Sequence, residues 1–117
     1  MENLYCKLYV DTDIGKDLLE DHLARALHLR RNNFSLDGDF LNVDVRRNED
    51  YRPSRSDPDA EGFINSRYYL DVEPSENVDR SSYIRAVAEI LILLWGLGAM
   101  AVASCDFEDE LPSMPSL

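Results

Sequence analysis

Four of the five residues from 106 to 110 are acidic: Asp106, Glu108, Asp109 and Glu110. Carboxylates this dense do one of two things. They gather a divalent cation where their oxygens converge, or they present an anionic surface to a cationic partner. A second group, Asp11, Asp13, Asp17 and Glu20, faces the same choice. Neither spacing is that of an EF-hand loop, which alternates its acids around a central glycine and ends on a glutamate. The expectation is no metal and no cofactor, with the acids forming solvated or docking surface.

Other reactive side chains are sparse. His22 and His28 stand six apart and do not share a helix face, which argues against a paired metal site. Cys6 and Cys105 are the only cysteines, with no CxxC spacing and no zinc signature. They read as two reduced, buried thiols, with a redox pair as the alternative. No Ser, Cys or Lys has a base partner close in sequence, so a non-enzymatic protein is expected.

Charge narrows the choice of partner. The 117 residues carry 23 acidic and 12 basic side chains, a net charge of -11. Such a chain is repelled by phosphate backbones and anionic bilayers, so neither nucleic acid nor membrane is the expected partner. Ten of the twelve basic residues are Arg, which fits a GC-rich bacterial genome. The 44% apolar and 30% charged fractions are those of a chain that folds, and the length suits one domain. The first residues, MENLYCKLYVDTD, show neither a basic segment nor a long apolar one, so a cytoplasmic location is expected.

The elements that must position these residues follow from periodicity. Residues 4–10 alternate, with Leu4, Cys6, Leu8 and Val10 on one face and Tyr5, Lys7 and Tyr9 on the other, which predicts a strand. Asp11, Thr12 and Asp13 offer N-caps for a helix ending near Arg30, whose apolar set is Ile14, Leu18, Leu19, Leu23, Ala26 and Leu27. Glu20 falls on its polar side. Asn32 and Asn33 break the helix, and Leu41, Val43 and Val45 mark a second strand within 34–47. Asp37-Gly38 suits a positive φ and serves either as a hairpin turn or as a bulge. A bulge or short bend is preferred, since 34–36 is short for a strand. Residues 48–62 read as a long flexible loop. A third strand follows within 63–73, its inner set Ile64, Tyr68, Leu70 and Val72, and Pro74 stops it.

Residues 83–107 are the most apolar stretch and must enter either a core or a bilayer. A span needs about twenty continuous apolar residues and disfavours a central acid, whereas Glu89 interrupts this one. Asp79 is placed as an N-cap, with Val78 and Tyr83 as a hydrophobic staple. Tyr83, Val87, Ile90, Leu91 and Leu94 share a helix face, Gly96 and Gly98 stop the helix, and 99–107 returns to strand. The core reading is therefore preferred. The order strand, helix, strand, strand, helix, strand predicts an α+β, ferredoxin-like βαββαβ sandwich. Its antiparallel four-stranded sheet would carry two helices on one face, with strands one and three central. Residues 1–110 form the domain and 111–117 a frayed tail.

The outer face of that sheet would then show Tyr5, Lys7, Tyr9, Arg67, Tyr69 and Asp71. Exposed aromatics on central strands have the layout of RNA-recognition motifs, but no RNP signature is present and the charge opposes it. A phosphate-binding loop after strand one is also excluded, because Asp11 and Asp13 stand there. Aromatic and arginine anchors with an acidic field suit a protein interface instead.

In size, charge and character over its whole length, the chain resembles the small acidic bacterial immunity proteins and antitoxins that mask basic nuclease toxins. That resemblance implies Asp and Glu side chains occupying a toxin's cationic cleft. The expected partner surface comprises Asp106, Glu108, Asp109 and Glu110 with Tyr5, Tyr9, Arg67, Tyr69 and Asp71. The alternative use of the sheet face is a homodimer acting as a regulatory or small-ligand domain.

Overall fold

The computed structural model describes residues 2–49, 51 and 66–114. Most of the expected 48–62 loop, with Phe63, Ile64 and the end of the tail, lies outside the described residues. The described chain is α+β, with two α-helices and a six-stranded antiparallel sheet. The elements are β1 (Cys6–Asp11), α1 (Lys16–Leu27), β2 (Arg30–Asn32), β3 (Ser35–Asp37), β4 (Leu41–Arg47), β5 (Tyr68–Pro74), α2 (Arg80–Gly96) and β6 (Met100–Cys105). A single 3-10 turn, Glu108–Glu110, follows β6. The sheet order is β2-β3-β4-β5-β1-β6.

Alternation fixes which side of the sheet is dry. Cys6, Leu8 and Val10 of β1, Leu41, Val43 and Val45 of β4, and Tyr68, Leu70 and Val72 of β5 are buried in one apolar cluster with the helices. Direct pairs Cys6–Val72, Leu8–Leu70 and Val10–Tyr68 keep this set on one face, since opposed residues in an antiparallel ladder point the same way. From α2, Tyr83, Ile84, Ala86, Val87, Ile90, Leu91 and Leu94 join them. Tyr83 uses its polar tip as well as its ring: the hydroxyl reaches the carbonyl oxygens of Leu4 at 2.6 Å and Val72 at 3.2 Å.

The helix ends of α2 follow their sequence signals. Asp79 accepts a hydrogen bond from the Ser82 N–H at 3.0 Å, satisfying one of the unpaired amides of the first turn. At the other end Gly98 takes φ 83°, a conformation that costs glycine least. The Gly98 N–H donates to Trp95 O and the Ala99 N–H to Leu94 O, both at 3.0 Å, which completes a Schellman motif. The burial of this helix and of Ala99, Ala101 and Phe107 places the apolar stretch in the core. Among the described residues no helix is long and apolar enough to cross a membrane.

Several expectations are corrected. The sheet has six strands rather than four, because 30–37 forms a hairpin that extends it beyond β4. Asp37 ends β3 and Gly38 opens the hairpin connection to β4, so the dipeptide is not a bulge: the Gly38 N–H donates to Leu41 O at 2.9 Å. Nor is Gly38 at positive φ. A Cβ there would stand 2.5 Å from Leu29 Cδ2 and 3.3 Å from Leu41 O, so close approach is what suits glycine to this position.

The first helix ends at Leu27, not near Arg30, because His28 turns left-handed at φ 56° and its N–H donates to Ala24 O. It also begins later than expected. Gly15 is the N-cap and makes no side-chain bond; Thr12 Oγ1 instead accepts from the Ile14 N–H, and the Asp13 carbonyl is taken by Arg67. Finally, the buried stripe of α1 is Leu19, Glu20 and Leu23, while Leu18 is 53% exposed and Ala26 lies in solvent. Glu20 enters the core edge because Lys16 and Arg31 accompany it.

Candidate partner-binding surface

The outer face of the sheet is a grid set by register. Across β4, β5, β1 and β6 one row reads Asp44, Asp71, Lys7 and Ser104, and the next Arg46, Tyr69, Tyr9 and Val102. Asp44 and Asp71 are directly opposed, an arrangement that like charges disfavour. Arg46 offsets it, with Nε 3.0 Å from Asp71 Oδ2 and Nη2 3.5 Å from Asp44 Oδ2. The other Asp71 oxygen accepts a hydrogen bond from the Tyr5 hydroxyl. Burial, followed by that bond to Asp71, raises the Tyr5 phenol well above its ordinary pKa, so it remains a donor.

Tyr9 and Tyr69 share the outer face, as the alternation implied, and the register sets them opposite one another, but their faces are not free for stacking. Lys7 Nζ lies 4.4 Å from the Tyr69 ring centroid and 5.1 Å from that of Tyr9, within cation–π range. Arg67 leaves this group. Its N–H donates to Asp11 Oδ1 at 3.1 Å, its Nη1 donates to Asp13 O at 3.2 Å, and its guanidinium carbon lies 5.4 Å from the Tyr68 ring centroid. It thereby fastens the β1–α1 loop to the start of β5. Tyr68 assists from the inner face, donating to Ile14 O at 2.9 Å.

The acidic segment after β6 is tied down from within. Phe107 is buried with its ring edge-on to Tyr83, the centroids 5.8 Å apart. Glu108 Oε1 accepts the Cys105 N–H at 3.0 Å. Glu110 is held by Arg80, whose Nη1 lies 2.8 Å from Oε1 and whose Nη2 also donates to Oε2; the same guanidinium binds Glu2 through Nε at 2.6 Å and Nη2 at 2.8 Å. These bonds hold the Glu2 and Glu110 carboxyls below their ordinary pKa and raise that of Arg80. Two of the four clustered acids are thus committed to the fold. Asp106 and Asp109 are exposed and make no hydrogen bond or ion pair among the described residues.

The second acidic group does not converge. Asp11 and Asp13 serve Arg67, Glu20 is buried with Lys16 at 3.2 Å and Arg31 at 3.3 Å, and Asp17 offers Arg31 only its carbonyl. No cluster of three or more possible metal ligands occurs among the described residues.

Two parts of the expected surface do meet, and Tyr5 joins them. One groove, of about 400 Å³, is lined by Tyr5, Ser35, Asp37, Asn42, Asp44, Arg46, Asp71 and Glu73. A second, of about 310 Å³, is lined by Tyr5, Asn3, Ser104, Cys105, Asp106 and Glu108. Together they present six carboxylates and one guanidinium. Asp37 is held ionised by hydrogen bonds from Ser35 and Asn32. Asp37, Asp44 and Glu73 were missing from the expected surface. The alternation of 41–47 and 68–73 already put Asp44 and Glu73 on the outer face, but only register sets them beside Tyr5. A groove of about 840 Å³ beside β4 leans basic, joining Lys7 and Arg46 of the outer face to Lys16 of α1 and to Arg47, against Asp44 and Glu49, with the 90% exposed Phe34 in its lining.

No protein-family model, curated protein or solved structure matches the chain.

Proposed function

We propose that this chain is a non-enzymatic acidic binding protein that docks a basic protein partner, in the manner of an immunity or inhibitor protein that neutralises a nuclease toxin. The observation that carries the reading is the pair of grooves meeting at Tyr5, with six carboxylates and a single guanidinium. A partner's Lys or Arg side chains would find there an anionic lining and an aromatic body, the combination that gives both fast encounter and a fixed register. Asp106 and Glu108 extend the surface past β6, whereas Arg67 and Glu110 support it from behind.

The ferredoxin-like reading of the scaffold belongs to the same proposal. It is supported by the order of the four longer strands, β4-β5-β1-β6, with α1 between β1 and β4 and α2 between β5 and β6 in sequence. On that reading the β2–β3 hairpin is an addition at the β4 edge.

A second reading, the homodimer, is favoured by one observation. The 840 Å³ groove brings Lys7 and Arg46 of the outer face together with Lys16 of α1 and Arg47 at the end of β4, so a twofold pairing that set this groove against the acidic Tyr5 end of a second copy would join opposite charges. The net charge of -11 on each copy opposes this pairing, and the basic partner is preferred.

The test uses a short oligoarginine peptide and isothermal calorimetry at several salt concentrations. Binding should weaken steeply with salt, and Asp44→Lys with Glu73→Lys should remove most of it. Glu89→Lys, on the solvent side of α2, is the control. Equal weakening by Glu89→Lys would mean that the peptide senses net charge and not this groove.

A further inference from the structure

We propose that Cys6 and Cys105 form a modification site, an opposed pair of thiols on β1 and β6 that a small-molecule disulfide oxidises to an intramolecular disulfide. The two are direct partners in the ladder, and both are free thiols. Opposed Cα atoms in an antiparallel pair lie about 4.5–5.5 Å apart. That falls inside the span of about 4.4–6.8 Å that a disulfide requires. Cβ atoms of such pairs stand about 4.5–5.5 Å apart against about 3.5–4.5 Å in a disulfide, so closure needs only a small approach of the edge strand. β6 pairs on one side only, with β1, and can make that approach.

The two thiols have different parts. Cys6 is fully buried, whereas Cys105 is half-buried and lines the 310 Å³ groove with Tyr5, Asp106 and Glu108. Its place in the groove lets a reagent reach Cys105 but not Cys6, and the adjoining Cys6 thiol and Phe107 N–H favour the Cys105 thiolate while the Cys105 sulfur disfavours that of Cys6. Cys105 is therefore the attacking group. Its thiolate displaces one thiol from the reagent and is left as a mixed disulfide. Cys6, once deprotonated, attacks the Cys105 sulfur and expels the second thiol. The protein loses two electrons and two protons, and the reagent is reduced to two thiols.

The surroundings set the rate and the preferred reagent. The titratable groups facing the pair are Tyr5 beside Cys6, Tyr83 from α2, and Asp106 and Glu108 after β6, all of them acids. Burial first, with these acids adding to it, keeps both thiols above their ordinary pKa. Reaction at neutral pH is accordingly slow and accelerates as pH rises. Asp106 and Glu108 repel an anionic disulfide and attract a cationic one.

The experiment treats the intact, folded protein with cystamine or with oxidised glutathione at low salt and follows intact mass. The expected product is the chain less two hydrogens, reached through a transient adduct, with cystamine about tenfold faster than glutathione. After unfolding, this product should take up no maleimide, and its urea midpoint should exceed that of the reduced protein because the cross-link closes most of the chain. Cys6→Ala should stop at the adduct. A stable adduct on the unsubstituted protein, a disulfide-linked dimer, or two maleimide-reactive thiols after prolonged exposure to cystamine would each overturn the proposal.

Discussion

Glu20 and Arg31 meet at 3.3 Å across the gap between α1 and the β2–β3 hairpin, with the carboxylate buried and the guanidinium half in water. Arg31 also reaches Asp21 at 2.7 Å, so one side chain fastens the hairpin to two positions on the helix. Removing one partner of a buried pair costs more than replacing the buried charge with an apolar group of similar size. Arg31→Ala should therefore lower the urea midpoint more than Glu20→Met does. The reverse order would show that the pair is incidental to the docking of the hairpin.

The left-handed His28 offers a gain. A residue with a Cβ is strained at φ 56°, and glycine at the position after a helix is not. His28→Gly should stabilise the fold by about 0.5–1 kcal/mol, read from thermal unfolding. A loss of stability would mean that the imidazole makes a contribution exceeding the backbone relief.

Tyr83 bridges the chain before β1 to β5 through its hydroxyl. Tyr83→Phe keeps the edge-on contact with Phe107 and deletes only the hydrogen bonds, so the cost should be about 1 kcal/mol with an unchanged far-ultraviolet circular dichroism spectrum. A fully native midpoint would remove the bridge from any account of stability.

Arg80 makes stability depend on pH. It holds Glu2 and Glu110 below their ordinary pKa. A carboxyl depressed in the folded state contributes stability at pH values above its unfolded pKa. That contribution disappears as pH falls through the folded pKa. Arg80→Ala should lower the melting temperature at neutral pH and show a smaller further loss on acidification, the two proteins converging in strong acid. The groups are exposed, so added salt should narrow the difference. Parallel pH profiles would sink the assignment.

The homodimer makes a separate prediction. If the outer face pairs with itself, sedimentation will find a dimer that dissociates on Lys7→Glu or Arg46→Glu. If the face serves a basic partner, the unsubstituted protein will sediment as a monomer and those substitutions will strengthen oligoarginine binding.

What the sequence by itself determined is local and periodic. The two-residue alternation of Cys6, Leu8 and Val10 and of Tyr68, Leu70 and Val72 identified the dry face, because side chains of a strand must point alternately. The Asp79 cap and the glycine stop of α2 were legible for a similar reason: each answers to amides and carbonyls within one turn. By contrast, β2 and β3 are three residues each, too short to display a period, and their polar sequences Arg-Arg-Asn and Ser-Leu-Asp hid a hairpin. Glu20 looked solvated until Arg31, from the next element, came to meet it.

Tertiary structure alone decided who faces whom. Nothing within the alternation of β1 says that Lys7 will lie between Tyr9 and Tyr69, that Asp71 will take the Tyr5 hydroxyl from 66 positions away, or that Cys6 will stand against Cys105. Register depends on how the buried faces of β1, β5 and β6 fit together over one core, and a shift of one residue would turn every side chain over. The types of residue on the outer face were therefore written in the chain, and their meeting at Tyr5 was fixed only by packing the other face.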